Sequence, residues 1–82
     1  MILRILTPEW SRQIPDAEAV FVPAAGKGEF EILRSHAPIV GILGEGLVKW
    51  RTATSDGTQT LAVRSGVVRC KGNDNIDICI EQ

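Results

Sequence analysis

An all-β domain is what this 82-residue sequence predicts, and three observations point to it. No apolar pattern of period 3.6 is sustained for three turns, because 8 glycines and 4 prolines are spread along the chain. Short apolar stretches instead alternate with clusters of turn-forming residues. The last third alternates most plainly: Ile76, Ile78 and Ile80 share one face, and Asp77, Cys79 and Glu81 share the other. The expected architecture is a single domain over residues 1–82, a flattened sandwich or barrel of about 8–10 short antiparallel strands.

Each element follows from its local residues. Ile2–Leu6 reads as the first strand, stopped by Thr7-Pro8-Glu9. Residues 17–22 form the next, ended by Pro23, with Ala24-Ala25-Gly26-Lys27-Gly28 as a small-residue loop. Residues 30–33 are a third, closed by Arg34-Ser35-His36-Ala37-Pro38. Ile39–Leu43 follows, and then residues 46–54, in which Val48 and Trp50 alternate with Lys49 and Arg51. Ser55-Asp56-Gly57 makes a hairpin turn, since glycine accepts the positive φ such turns need. Residues 58–63 put Leu61 and Val63 on one face, and residues 66–70 lead into the turn Lys71-Gly72-Asn73-Asp74-Asn75. There is no internal repeat, linker or low-complexity tract.

Composition narrows the function classes. Lys+Arg 9 against Asp+Glu 10 gives a net charge of −1. That balance lacks the electrostatic footprint of a phosphate-backbone binder, so nucleic acid is not an expected partner. Charged residues at 23% and hydrophobic ones at 44% are globular values. A domain of this size buries only about 60–65% of its unfolded surface, which leaves room for a partner surface to contribute stability. No uncharged apolar run approaches the ~18 residues of a membrane helix, and Met1-Ile2-Leu3-Arg4 does not open a signal peptide. Cys70 and Cys79 sit far apart for a metal clamp. One bridge is conceivable, but two reduced thiols in a reducing compartment are the better reading without an export signal.

Chemistry-bearing constellations are scarce. His36 is the one histidine, so no His-based metal site can be assembled. As a general base it would need a nucleophile, and adjacent Ser35 points away in extended chain. It reads as a turn histidine. Gly26-Lys27-Gly28 and Gly44-Glu45-Gly46 do not open helices after strands, so they are turns and not phosphate cradles. Small all-β carrier domains display a modified lysine at a hairpin tip. Lys49 instead lies inside an alternating stretch, as an outward charge guarding a sheet. Glu29 and Glu31 share one strand face and read as a charged surface, not an acid/base pair. Trp10 and Trp50 are core or interface aromatics. These residues support a binding module, with no catalytic residue, metal site or cofactor expected.

The run Gly28-Glu29-Phe30-Glu31-Ile32-Leu33-Arg34-Ser35-His36-Ala37-Pro38-Ile39-Val40 resembles the signature Gly-Glu-Leu/Phe-Gly-Ile-Leu/Tyr-Pro-Gly-His-Ala-Pro-Leu of the epsilon subunits of F-type ATP synthases. The resemblance covers essentially the whole chain. Leu3-Arg4-Ile5-Leu6-Thr7-Pro8-Glu9 is similar to that family's opening strand. Gly46-Leu47-Val48-Lys49 and Ser65-Gly66-Val67-Val68-Arg69-Cys70 stand where later family strands do. Glu31 replaces a signature glycine, Arg34-Ser35 replace Pro-Gly, and Ser65 replaces the first of two glycines. Each change puts an ordinary residue where the family has a flexible or rigid turn element.

The resemblance implies a non-catalytic β-sandwich subunit of the rotating central stalk. Such a subunit clasps the gamma subunit, rests on the c ring of the membrane sector, and works indirectly on the alpha/beta hexamer. It couples proton translocation to ATP synthesis from the cytoplasmic face of the inner membrane. By motif position, Lys27, Gly28 and Glu29 correspond to a c-ring contact. Thr7, His36, Ala37, Pro38, Ile39, Val40 and Gly41 fall toward gamma or the ring. Most family members continue into a C-terminal helical hairpin that inhibits hydrolysis or binds ATP. The sequence stops at Gln82, so a short form with the sandwich domain alone, and no nucleotide, is the expectation. A free β binding or carrier module is the alternative.

Overall fold

The computed structural model describes residues 1–33, 37–54 and 56–82. Among these residues the chain forms nine strands: β1 (Ile2–Leu6), β2 (Ser11–Ile14), β3 (Ala17–Ala24), β4 (Gly28–Leu33), β5 (Ile39–Leu43), β6 (Gly46–Thr52), β7 (Gln59–Val63), β8 (Ser65–Gly72) and β9 (Asn75–Glu81). No described residue is helical. The strand alternation predicted from sequence decides which side chains enter the core. Leu3 and Ile5 of β1, Val20 and Val22 of β3, Ile32 of β4, Val48 and Trp50 of β6, Val68 and Cys70 of β8, and Ile76, Ile78 and Ile80 of β9 are all buried in one cluster. Each fully buried Ile, Leu or Val contributes about 1.5–3 kcal/mol relative to leaving it in water.

The strands hydrogen-bond in the order β2-β1-β9-β8-β5-β3-β6-β7, with β4 on the other edge of β3. At the β5–β3 junction the ladder narrows to the pair Ala24 and Leu43. Two further backbone bonds extend it, from Ala25 N–H to Ile42 O at 2.9 Å and from Gly44 N–H to Pro23 O at 2.9 Å. This narrow joint lets the sheet curl, so that β2, β1, β9, β8 and β5 face β4, β3, β6 and β7 across the core. The result is the curled, all-strand sandwich that the alternation predicts.

Several details depart from expectation. The sheet is not wholly antiparallel, because β1 runs parallel to β9 from Ile2 opposite Asn75 to Leu6 opposite Cys79. Parallel neighbours need a long crossover, and here the rest of the domain supplies it. Pro23 does not end its strand. β3 continues to Ala24, paired with β4 from Ala19 onward. Pro23 O accepts from Gly44, so its missing N–H faces the gap where β3 changes partner from β6 to β5, and no ladder bond is lost there. The strand over residues 46–54 stops at Thr52. Beyond it, Ala53 N–H donates to Asp16 O at 3.1 Å and the Thr54 hydroxyl bonds the Asp16 carboxylate.

The β8–β9 hairpin turns through Asn73 (φ 52°) and Asp74 (φ 56°), the positive-φ pair of a tight hairpin turn. Among the described residues no other non-glycine takes positive φ. Glu31 and Ser65, which stand where the resembling family writes glycine, are therefore ordinary strand residues paired with Phe21 and Glu81. Arg34, Ser35, His36 and Ser55 lie outside the described residues.

Candidate functional site

The β3–β4 hairpin carries the residues that the signature motif singled out. Gly26 (φ 73°) and Gly28 (φ 75°) take the left-handed conformation that glycine adopts without a steric penalty. Lys27 N–H closes the turn on Ala24 O at 3.1 Å. Nothing lies within 4 Å of a Cβ built on either glycine, so the tip projects clear of the sandwich. Past Gly28 the strand period sends Phe30 and Ile32 toward the core side and Glu29 and Glu31 outward.

Glu29 meets Lys49 on that outer face. The two residues belong to strands on opposite edges of β3, where Glu29 pairs with Pro23 and Lys49 with Phe21. Lys49 Nζ spans β3 to reach Glu29 Oε2 at 3.1 Å, with the two side chains 37% and 49% exposed. A pair this exposed contributes about 0–1 kcal/mol to stability. Lys49 is mid-strand in β6, as the sequence pattern predicts, and not on a hairpin tip.

On its other side the same hairpin borders a groove of about 570 Å³. Lys27, Ala25 and Phe30 line it from the hairpin, and Ile39, Val40 and Gly41 line it from β5. The fold thus brings Lys27 together with Ile39, Val40 and Gly41, which are distant in sequence. It turns Glu29 away from them, onto the opposite face of β4.

Beyond the groove, the outer face of β5, β8, β9 and β1 carries two side-chain rows. Ile42, Val67, Cys79 and Leu6 sit side by side in one row, and Val40, Arg69, Asp77 and Arg4 in the next. The Asp77 carboxylate takes Lys71 Nζ at 2.7 Å and Arg4 Nη1 at 3.9 Å. Val40 and Ile42 are 71% and 70% exposed, and Val67 is 43% exposed. Large aliphatic side chains clustered in water are the signature of an interaction face. Cys79 points outward here whereas Cys70 is buried on the inner face, so the two thiols lie on opposite sides of the sheet.

The remaining predicted residues lie elsewhere. Thr7 organises the β1–β2 turn: its Oγ1 accepts from Trp10 N–H at 2.9 Å and Glu9 N–H at 3.2 Å, and donates to Trp10 O at 3.0 Å. It rims a depression with Leu6, Pro8, Gly66 and Cys79, at the β1 end of the row that Ile42 opens on β5. Ala37 and Pro38 are exposed just before β5, with Pro38 beside the bulge at Gly72. His36 is outside the described residues. Ile42 and Val67 were not singled out from sequence. The run Ile39–Leu43 contains no polar residue to mark its solvent side, so only strand pairing reveals it. Among the described residues no three His, Cys, Asp or Glu side chains gather as a metal site. The geometry suits binding: an aliphatic outer face beside a projecting, charged hairpin.

A family model described as the beta-sandwich domain of the ATP synthase delta/epsilon chain matches residues 1–82. The chloroplastic ATP synthase epsilon chain of Cucumis sativus is 33% identical over 79 residues, which is 95% of this chain and 56% of that protein. This chain therefore spans about half the length of that relative. Two cryo-EM structures contain chains of the same fold. One, of the Tetrahymena thermophila mitochondrial ATP synthase central stalk and c ring, matches with TM-score 0.86 at 13% identity over 100% of this chain and 63% of that one. The other, of the Euglena gracilis mitochondrial ATP synthase OSCP, F1 and c ring, matches with TM-score 0.88 at 18% identity over 100% and 51%.

Proposed function

The chain belongs to the ATP synthase delta/epsilon family through its beta-sandwich domain, and from that premise we propose that it is a non-catalytic subunit of the rotating central stalk. In this role it binds the gamma subunit and the c ring and couples proton translocation to ATP synthesis, at the cytoplasmic face of the membrane. The single observation that carries this reading is the family match along the whole of residues 1–82.

The chemistry of the surface supports it. Val40, Ile42 and Val67 form the face that packs on gamma, since covering the part of each side chain still in water contributes a share of the about 1.5–3 kcal/mol that full burial gives. Lys27, Gly28 and Glu29 form the tip that meets the polar loops of the ring. The aliphatic face lies on paired strands, and the tip is a short turn held by the paired strands β3 and β4. Such a footing keeps its geometry under torque better than a long loop would. Thr7 serves its own turn, and its place near gamma or the ring is a matter of position alone. Ala37, Pro38 and His36 enter the stalk contact through the segment that precedes β5.

Co-purification tests the proposal. Tagged chain mixed with its cognate gamma subunit elutes with it as one complex, and a detergent-solubilised c ring retains that complex. Elution of the chain apart from gamma at micromolar concentration would refute it.

A further inference from the structure

Glu29 is not a free carboxylate in this chain. The Lys49 ammonium holds its Oε2 at 3.1 Å across the outer face of β3. The β3 residues beneath that span, Phe21 and Pro23, carry no charge and no side-chain donor. Glu31, paired with Phe21, is the second carboxylate on that face, yet the ion pair forms with Glu29. Both ends remain open to water, at 37% and 49% side-chain exposure, so the pair exchanges readily for another. A cation arriving at Glu29 meets Lys49 as a like charge, which opposes its approach.

We infer that Lys49 is an intrachain counter-ion that Glu29 releases on docking, so that Lys49 lowers the affinity of the hairpin tip for a cationic group on the ring. This rests on the reading that the tip meets the ring. Lys49 acts through Glu29 and does not itself touch the partner. The effect has an unusual sign: a residue that merely supports the fold weakens binding when it is removed, whereas a competing counter-ion strengthens it.

The test is a titration of detergent-solubilised c ring onto the immobilised full chain at low and high salt. Lys49→Met, and independently Lys49→Gln, bind about two- to fivefold more tightly than the unaltered chain at low salt, the range a surface ion pair spans. The gain shrinks at high salt, where exposed charges are screened. Lys49→Arg restores the original affinity, because it restores the counter-ion. Glu29→Gln binds more weakly, and adding Lys49→Met to it changes nothing further. Equal or weaker binding by both Lys49 variants, with Glu29→Gln still weakened, overturns the counter-ion role and leaves the docking reading standing. An equal gain from Lys49→Met in the Glu29→Gln background assigns the effect to net charge and also overturns it. No effect of Glu29→Gln removes the tip from the ring contact, and the inference falls with it.

Discussion

Gly66 stands so close to β9 that a Cβ built on it would lie 2.4 Å from the carbonyl oxygen of Cys79 and 2.9 Å from Ile80 Cγ2. Both neighbours belong to the antiparallel ladder in which Gly66 faces Ile80, so neither can retreat without opening the pair. Gly66→Ala is expected to cost about 1–3 kcal/mol, the usual penalty for overpacking a tight interior. The adjacent Ser65 is a plain strand residue, and Ser65→Gly is expected to cost about 0.5–1 kcal/mol through chain entropy. Urea unfolding of the two variants checks both the magnitudes and their order.

Trp50 closes the core near its rim at 3% exposure, and the Arg12 guanidinium sits 5.6 Å from its ring centroid. Burial and cation–π attraction separate by magnitude. Trp50→Ala is expected to cost about 3–5 kcal/mol, enough to unfold much of a domain this small at 37 °C. Arg12→Ala is expected to cost about 0.5–1 kcal/mol. Thermal melts followed by circular dichroism distinguish the two.

Val40 and Ile42 predict a separation of stability from binding. Both are largely in water, so Val40→Thr with Ile42→Thr, which keeps β-branched shape, should move folding stability by less than about 0.5 kcal/mol per site. The same double change removes aliphatic surface from the proposed gamma contact and should weaken that association about tenfold or more. Calorimetric titration with gamma, beside a melt of each protein, reads both quantities.

The two thiols should differ in reactivity by position. Cys79 is exposed on the outer face of β9 and Cys70 is buried. A chromogenic disulfide reagent is therefore expected to label one thiol promptly in native chain and the second only after denaturant is added. Cys79→Ser removes the fast phase, and Cys70→Ser leaves it unchanged.

The parts legible in the sequence were those written in local alternation. Ile76, Ile78 and Ile80 announce β9, and the Asn73-Asp74 turn announces the hairpin before it. Ser11–Ile14 escaped because β2 is an edge strand with one buried residue, Ile14, and three exposed ones. The β1–β9 parallel pair escaped because it joins the two ends of the chain, which no local pattern records. Pro23 misled for a related reason: whether a proline breaks a strand depends on where its N–H would have pointed. Glu29 and Glu31 on one face were readable from spacing, but the Lys49 partner needed the registers of β4 and β6 on β3. The outward side of the β5 run was hidden by its uniform hydrophobicity. The family signature supplied the candidate site, and the fold then divided it among a hairpin tip, a groove and a turn.

ATP-driven proton pumping by reconstituted ATP synthase, assembled with and without this chain, tests the coupling role most directly. Vesicles carrying the depleted complex should hydrolyse ATP yet acidify poorly, and adding back the chain should restore acidification. Full pumping without the chain, or no recovery when it is returned, would contradict the account.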